Sequence, residues 1–369
     1  MKTKPFSRRQ FLKTGAAASA LGFPMIVPSR VLGGPDAPSN KLNIAGIGVG
    51  NQGRSNIGGC KGENIVALCD VDHKVAAGAF ADHPGAKRYR DFRVMLDEMK
   101  DIDAVVIATP DHTHAAIAMA AMKKGIHVFC QKPLTHDISD ARFLDAAATQ
   151  YDVVSQMGSQ GNAQAGIRLN TEWLKDGAIG DIKMIQENYL TGTLWHRGNK
   201  PEWSPLEYQL RNWLYYTWLS GDHIAEQHIH SLDKSLWLMD DKPPVSCYAS
   251  GGRLVRTNKK WGNVYDHFAC VFEWEDSDVK TFSHCRQMAG CFNDTQDYVV
   301  GTEGSARVLR FEIVNDQGKQ NFKQKGKPSM YDLEHRELFA SIRENEPINN
   351  GQYMSYSTLM AIMGREACY

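Results

Sequence analysis

From residue 42 the chain alternates short apolar runs with amphipathic stretches, and each apolar run ends in glycine, proline or a charged side chain. Residues 42–47, 65–68, 104–108 and 128–130 read as strands. They are mostly continuously apolar, the pattern of a parallel sheet covered on both faces. Helices are expected between them, a short one over 92–99 and another over 115–124, with Gly125 closing the carboxyl end of the second. Beyond residue 158 the pattern changes. The stretches 182–190, 245–250, 265–274, 279–285, 298–300 and 306–311 alternate apolar and polar positions as half-buried strands do. They predict a large open sheet, mainly antiparallel, of about six strands. In one of them Phe268, Cys270, Phe272 and Trp274 share a face. Helical patterns over 331–343 and 355–368 close the chain. The expected fold is α/β: a doubly wound first domain over 39–158 and an α+β second domain over 159–369, carrying the antiparallel sheet.

The segment before this pattern is not part of the fold. Ser7-Arg8-Arg9-Gln10-Phe11-Leu12-Lys13 is a twin-arginine export signature, and an alanine-rich apolar run follows it over 15–27. That run is too short, and too interrupted by glycine and proline, to remain as a membrane span. Residues 1–38 are read as signal and linker, and the mature protein as periplasmic or otherwise exported. A length of 369 residues accommodates two domains. Forty-two basic residues balance forty-two acidic ones, which argues against a nucleic-acid partner. Among the eight cysteines, Cys69 and Cys130 lie in apolar runs and read as small core residues. A chain folded before export needs no disulfide.

The first chemical signal is the turn after residues 42–47. Gly48-Val49-Gly50-Asn51-Gln52-Gly53 has the G-x-G-x-x-G form, directly between a strand and a helix. Glycines there permit a tight turn, close approach of a pyrophosphate and helix packing, with the helix N-terminus facing the phosphates. Gly48, Gly50, Asn51, Gln52 and Gly53 are therefore candidate cofactor contacts. The next strand ends in Asp70, placed to bind both adenosine ribose hydroxyls. Its charge would repel a phosphate on that ribose, so NAD is expected in preference to NADP. Two later strands stop at prolines, in Thr109-Pro110-Asp111-His112-Thr113-His114 and in Gln131-Lys132-Pro133. Both ends face one crevice, which makes Thr109, Pro110, His112, His114, Gln131, Lys132 and Pro133 candidates for the nicotinamide end.

In the second domain the densest chemistry is Gly221-Asp222-His223-Ile224-Ala225-Glu226-Gln227-His228-Ile229-His230. Glu226 and His230 are four apart, so a continuous helix would put them on one face, with the carboxylate orienting an imidazole acid–base. Glu226, His228 and His230 also alternate, and with His223 or His284 they leave a zinc-type ligand set open. Upstream, Trp195, Arg197, Arg211 and Trp213 mix flat rings with guanidinium groups, as a sugar site does; His228 is grouped with them as a substrate contact.

Together, the glycine turn, the acidic second-strand end, A-T-P-x-x-x-H and the lysine–proline turn resemble the glucose–fructose oxidoreductase / inositol dehydrogenase / rhizopine catabolism family. The resemblance covers nearly all of the mature chain. It implies a Rossmann domain, a C-terminal sheet that often forms oligomers, and catalysis by Lys132, Glu226 and His230 without a required metal. Two departures stand out. Gln131 replaces the usual glutamate before the lysine, which is expected to leave Lys132 less firmly charged, and Asp222 replaces the second glycine of a Gly-Gly pair. The chain also ends at Tyr369, short of a terminal segment the resemblance leads one to expect. Exported members of this branch resemble glycoside 3-dehydrogenases. The implied activity is NAD-dependent oxidation of a sugar or glycoside hydroxyl, with ring carbon 3 favoured and the cofactor recycled in place. Oxidation-coupled glycoside hydrolysis and a non-catalytic NAD- or sugar-binding sensor remain the alternatives.

Overall fold

The computed structural model describes residues 40–151, 153–158, 164–275, 277–321 and 329–369. The export signal lies outside the described residues. Six parallel strands form the first sheet: β1 (Asn43–Ile47), β2 (Asn64–Cys69), β3 (Lys87–Tyr89), β4 (Ala104–Ile107), β5 (His127–Gln131) and β6 (Ser155–Gly158). Their order, β3-β2-β1-β4-β5-β6, reverses direction between β1 and β4. In doubly wound sheets that switch point opens a ligand crevice at the carboxyl ends of the strands. Continuous burial explains the apolar runs: all four residues of β4 are buried, and so are the last four of β5.

The second sheet has eight strands: β7 (Ile182–Thr191), β8 (Ser246–Gly252), β9 (His267–Glu273), β10 (Lys280–Gln287), β11 (Asp294–Gly301), β12 (Gly304–Arg307), β13 (Glu312–Asn315) and β14 (Gly318–Asn321). They run in the order β14-β13-β12-β11-β7-β10-β9-β8. Every neighbouring pair is antiparallel except β7 with β10. Phe268, Cys270, Phe272 and Trp274 share the buried face, at 5% exposure or less. The stretch 306–311 departs from expectation. β12 stops at Arg307, a tight turn covers Val308–Arg310, and Phe311 takes a left-handed φ of 56° before β13 begins. The hairpin of β13 and β14 accounts for the two strands beyond six.

The last two helices, Met330–Glu344 and Gly351–Cys368, return to the first domain. Leu338 and Phe339 of one, and Met354 of the other, are buried in the cores on the two faces of the first sheet. Met360 and Ala361, one to two turns further on, join the core under the second sheet. A fully buried side chain of this size contributes about 1.5–3 kcal/mol, so the final helix fastens the two sheets together. Among the described residues no helix is long and apolar enough to cross a membrane.

Candidate active site

The glycine turn has the backbone its sequence demands. Gly48 has a φ of 75°, and a Cβ on Gly53 would lie 1.8 Å from the Gly48 carbonyl oxygen. The helix Asn51–Gly59 starts immediately after Gly50, with Asn51 and Gln52 exposed on its first turn. Asp70 Oδ2 accepts from the Val49 N–H at 3.0 Å, and Oδ1 accepts from the Asp72 N–H at 2.8 Å. Burial raises the pKa of Asp70 against the lowering effect of these amides. A glycine-rich turn, a helix N-terminus and a carboxylate fixed at the end of β2 suit a dinucleotide: pyrophosphate over the turn, ribose at Asp70.

The ends of β4 and β5 are braced by His114. Its Nδ1 lies 2.8 Å from the Pro133 carbonyl oxygen and its Nε2 2.8 Å from that of Thr109. His114 is thus a buried strut between the strand ends. Thr109 is bound in turn by the Thr113 hydroxyl at 2.7 Å, and Pro110 precedes the short turn Asp111–Thr113. His112 lies beside Trp218, ring centroids 5.9 Å apart, and burial lowers its pKa to about 4, leaving it neutral. Gln131, the last residue of β5, is buried, and Gly158 of β6 approaches its amide so closely that a Cβ there would fall 2.7 Å from Nε2.

Lys132 points at the second domain. Its Nζ lies 3.0 Å from Glu226 Oε1 and also donates to the Glu226 main-chain carbonyl. Both side chains are largely buried, at 14% and 16% exposure. Burial works against the ammonium, but Glu226 and Asp111 outweigh it and hold the Lys132 pKa above the ordinary lysine value. With Gln131 neutral, the carboxylate that faces the ammonium is that of Glu226, brought from the second sheet's side of the site. Asp111 was not singled out from sequence. It is 3% exposed, and among the described residues its Oδ2 has no hydrogen-bond partner. Burial first, and then Glu226, push its carboxyl well above the ordinary carboxylate range. Tyr189 on β7 also feels the Lys132 charge.

Glu226 does not hydrogen-bond His230. The helix expected through both residues is two helices, His223–Glu226 and Ile229–Leu238, with the break at Gln227 and His228. The break turns Glu226 toward Lys132. His230 is near enough to Lys132 to feel its charge, and burial followed by the charges of Lys132, Lys234 and His228 lowers its pKa far below the ordinary imidazole value. A neutral His230 beside an ammonium is a base next to a hydrogen-bond donor. The carbonyl of His230 is held by Lys234, whose Nζ also pairs with Asp297 at 3.1 Å. His228 lies within this same buried layer, its Nε2 2.5 Å from Ser283 Oγ. Glu187 completes the layer, accepting from Ser235 Oγ at 2.5 Å. Among the described residues no group of three or more His, Cys, Asp or Glu side chains is arranged to hold a metal ion. Asp222 keeps the glycine-like backbone of the position it occupies, with a φ of 69°, secured by the N–H groups of His223 and Tyr265 and by the Tyr369 hydroxyl.

The aromatic candidates divide. Trp195 and Trp213 meet edge to face with centroids 6.3 Å apart, and the Arg197 guanidinium lies 4.5 Å over the Trp195 ring. Trp195 and Arg197 are exposed. Arg211 instead reaches the first domain, where Nη1 meets Asp72 Oδ2 at 2.7 Å, two residues beyond Asp70. Its Nε pairs with Glu207 at 2.8 Å.

Residues 42–159 match the family model described as an oxidoreductase family with an NAD-binding Rossmann fold, and residues 167–307 match the Gfo/Idh/MocA C-terminal domain. The chain belongs to the Gfo/Idh/MocA oxidoreductase family. Residues 5–23 match the twin-arginine translocation signal, so this family member is exported by that pathway. It is 29% identical over 251 residues to inositol 2-dehydrogenase 3 of Saccharopolyspora erythraea, covering 67% of this chain and 66% of the relative. It is 26% identical over 263 residues to levoglucosan dehydrogenase of Pseudarthrobacter phenanthrenivorans, covering 66% and 64%. These matches span slightly less than two thirds of the relatives' lengths. The fold is also that of a solved levoglucosan dehydrogenase in complex with NADH and levoglucosan, with a TM-score of 0.72 at 20% identity over 89% of this chain and 97% of the other.

Proposed function

We propose that the protein is an NAD-dependent oxidoreductase acting on a hydroxyl of a sugar or glycoside, with ring carbon 3 the favoured position. The observation that carries this reading is the meeting of Lys132 and Glu226 at 3.0 Å, at the carboxyl edge of the dinucleotide sheet and close to a neutral His230. Bound NAD supplies the hydride acceptor. His230 takes the hydroxyl proton, and the Lys132 ammonium donates to the oxygen as it becomes a carbonyl. Glu226 keeps Lys132 charged and aimed. Asp70, held at the end of β2, would accept from ribose hydroxyls and repel a phosphate on them, which supports NAD over NADP. Trp195, Trp213 and Arg197 offer a ring face and a donor for a sugar. Inositol and levoglucosan dehydrogenases among the relatives support a cyclic polyol substrate.

Export favours a cofactor that stays bound and is recycled. The Arg211–Asp72 pair supports this, because it ties the second domain to the loop following Asp70. Two net reactions fit: hydride passed from one sugar to another, or oxidation, elimination and re-reduction that cleaves a glycoside. The second face of the eight-stranded sheet carries partly exposed Val271 and Phe282 and exposed Val300 and Val314, which supports a homo-oligomer formed through it.

The test is to follow the reduced-nicotinamide absorbance of NAD-loaded protein on adding glucosides, galactosides and free sugars. An increase abolished in Lys132→Ala, which should still bind NAD, supports the dehydrogenase. Aglycone release without net reduction supports the cleavage cycle. Retained NAD with no response to any sugar contradicts both and leaves a sensor.

A further inference from the structure

We propose that Gln227 is a substrate-binding residue whose side-chain amide is preset as a hydrogen-bond donor. Buried Arg256 fixes the amide of Gln287, Gln287 fixes that of Gln227, and the Gln227 NH2 group is left to bind an oxygen of the sugar. The proposal takes its substrate from the oxidoreductase reading above and deepens it.

The polarity starts at Arg256. This side chain is 2% exposed, and its guanidinium lies 5.1 Å from the centroid of the Tyr215 ring. Nη1 donates to the Tyr265 carbonyl oxygen at 2.7 Å, and Nη2 donates to Gln287 Oε1. The main-chain N–H of Arg256 is itself held by Asp266 Oδ2 at 2.8 Å. An amide can turn over and exchange its oxygen with its nitrogen, but a guanidinium has no acceptor. Gln287 must therefore keep its oxygen toward Arg256 and its NH2 group away from it. That NH2 group donates to Gln227 Oε1 at 2.7 Å. The second amide is thus ordered by the first, with its own NH2 group turned away from Gln287. Gln287 is 1% exposed, whereas Gln227 is partly exposed, and its Nε2 has no partner among the described residues.

The position of Gln227 gives this donor its use. It lies in the break between the helices His223–Glu226 and Ile229–Leu238, directly after Glu226. At the break the Glu226 main-chain carbonyl leaves the helical ladder and accepts from Lys132, while the His230 N–H turns to the Gln227 carbonyl at 3.4 Å. Glu226, Gln227 and His230 keep surface open there, and Ala225, His228 and Ile229 are at most 1% exposed. On its other side Gln227 is bonded to Gln287, which is in register with Thr191, the last residue of β7. From Thr191 the chain runs on to Trp195 and Arg197. Gln227 thus links the Lys132–Glu226 pair to the root of the loop that carries the aromatic face. A donor in that place takes a hydroxyl, ring or glycosidic oxygen and disfavours an ammonium, which can only donate. Arg256 and Gln287 are positioning residues and have no need to touch the sugar.

The test inverts the polarity at nearly constant shape. In Gln287→Glu the carboxylate keeps Arg256 as its partner but offers Gln227 an acceptor, so the Gln227 amide turns over and presents its oxygen. The first readout needs no sugar: the Gln227 side-chain amide NMR signal of NAD-loaded protein, assigned by its loss in Gln227→Ala. Its protons should exchange rapidly with water in wild type and become protected in Gln287→Glu. A Gln227 amide already protected in wild type, or unaltered by Gln287→Glu, overturns the proposal. The second readout is kinetic. In Gln287→Glu the KM of the sugar that reduces bound NAD should rise about tenfold with kcat within about twofold, the mark of a lost binding contact. An unchanged KM, with or without a loss of kcat, marks a structural role and overturns the proposal. Should no sugar reduce the bound cofactor, the oxidoreductase reading fails while the amide signal still decides the polarity of Gln227.

Discussion

Removing the charge of Glu226 should be well tolerated while Asp111 is present and badly tolerated once it is gone. At 3.0 Å the Lys132–Glu226 attraction is about 5–6 kcal/mol at the effective dielectric of about 20 that suits protein sites. Leaving a buried charge without its partner costs about 3–5 kcal/mol, and the lower end applies because both side chains keep some exposure. In Glu226→Gln, however, the neighbouring negative charge that helps keep Asp111 protonated is lost. Asp111 then ionises and becomes the counter-ion of Lys132, so the expected loss is only about 1 kcal/mol. Asp111→Asn exchanges one neutral group for another and should also cost about 1 kcal/mol. The double variant strands the ammonium and should lose about 3 kcal/mol or more, exceeding the sum of the singles. Urea unfolding of all four proteins, at one NAD concentration and near neutral pH, measures this through the midpoints at common slope. Additivity within about 0.5 kcal/mol would refute the reasoning, because it would show that the three groups are not coupled.

Arg211→Ala removes a half-exposed pair worth at most about 1 kcal/mol, so NAD should leave the loaded protein up to roughly fivefold faster; an unchanged release rate in dialysis or stopped flow would contradict the fastening role. His230→Ala should slow hydride transfer by roughly 10²–10⁴-fold with NAD still bound, and in wild type the acid limb of the rate should fall well below the ordinary imidazole pKa, because burial holds His230 far below it. The Glu187 pKa rises from 4.5 to about 8 on burial, so the stability it lends is full below 4.5 and is lost as pH climbs toward 8. Glu187→Gln should therefore flatten the thermal stability profile across that window and gain on the order of a few kcal/mol above it, and parallel profiles for the two proteins would count against a protonated Glu187.

The parts of this molecule legible from sequence are those fixed by local constraints. The Gly48–Gly53 turn is readable because no side chain fits at Gly53, and β4 and β5 because strands buried on both faces must be apolar throughout. The motifs lead one to expect Lys132, Glu226 and His230 in one group, but not that Glu226 pairs with Lys132 rather than with His230. The break at Gln227 and His228 carries neither glycine nor proline, so spacing alone suggested a carboxylate–imidazole pair. Asp111 looked like an ordinary turn aspartate. Its burial comes from the helix Thr217–Ser220, a segment more than a hundred residues away, and no local pattern announces that. Arg211 was grouped with the sugar-binding candidates by the rings around it, and its bond to Asp72 is set by how the domains meet. The β13–β14 hairpin carries no strand signature in sequence, because β13 is only 4 residues long and β14 has no apolar side chain.

The central claim is that this site moves hydride between a sugar carbon and a bound nicotinamide. Its most direct measurement is a single turnover of NAD-loaded protein with a glycoside carrying deuterium on ring carbon 3, followed by mass analysis of the nucleotide. Deuterium in the reduced nucleotide is the expected result. Unlabelled reduced nucleotide would contradict oxidation at that carbon, and nucleotide left oxidised across substrates labelled at each ring carbon, with no aglycone released and no deuterium passed to an acceptor sugar, would contradict the claim itself.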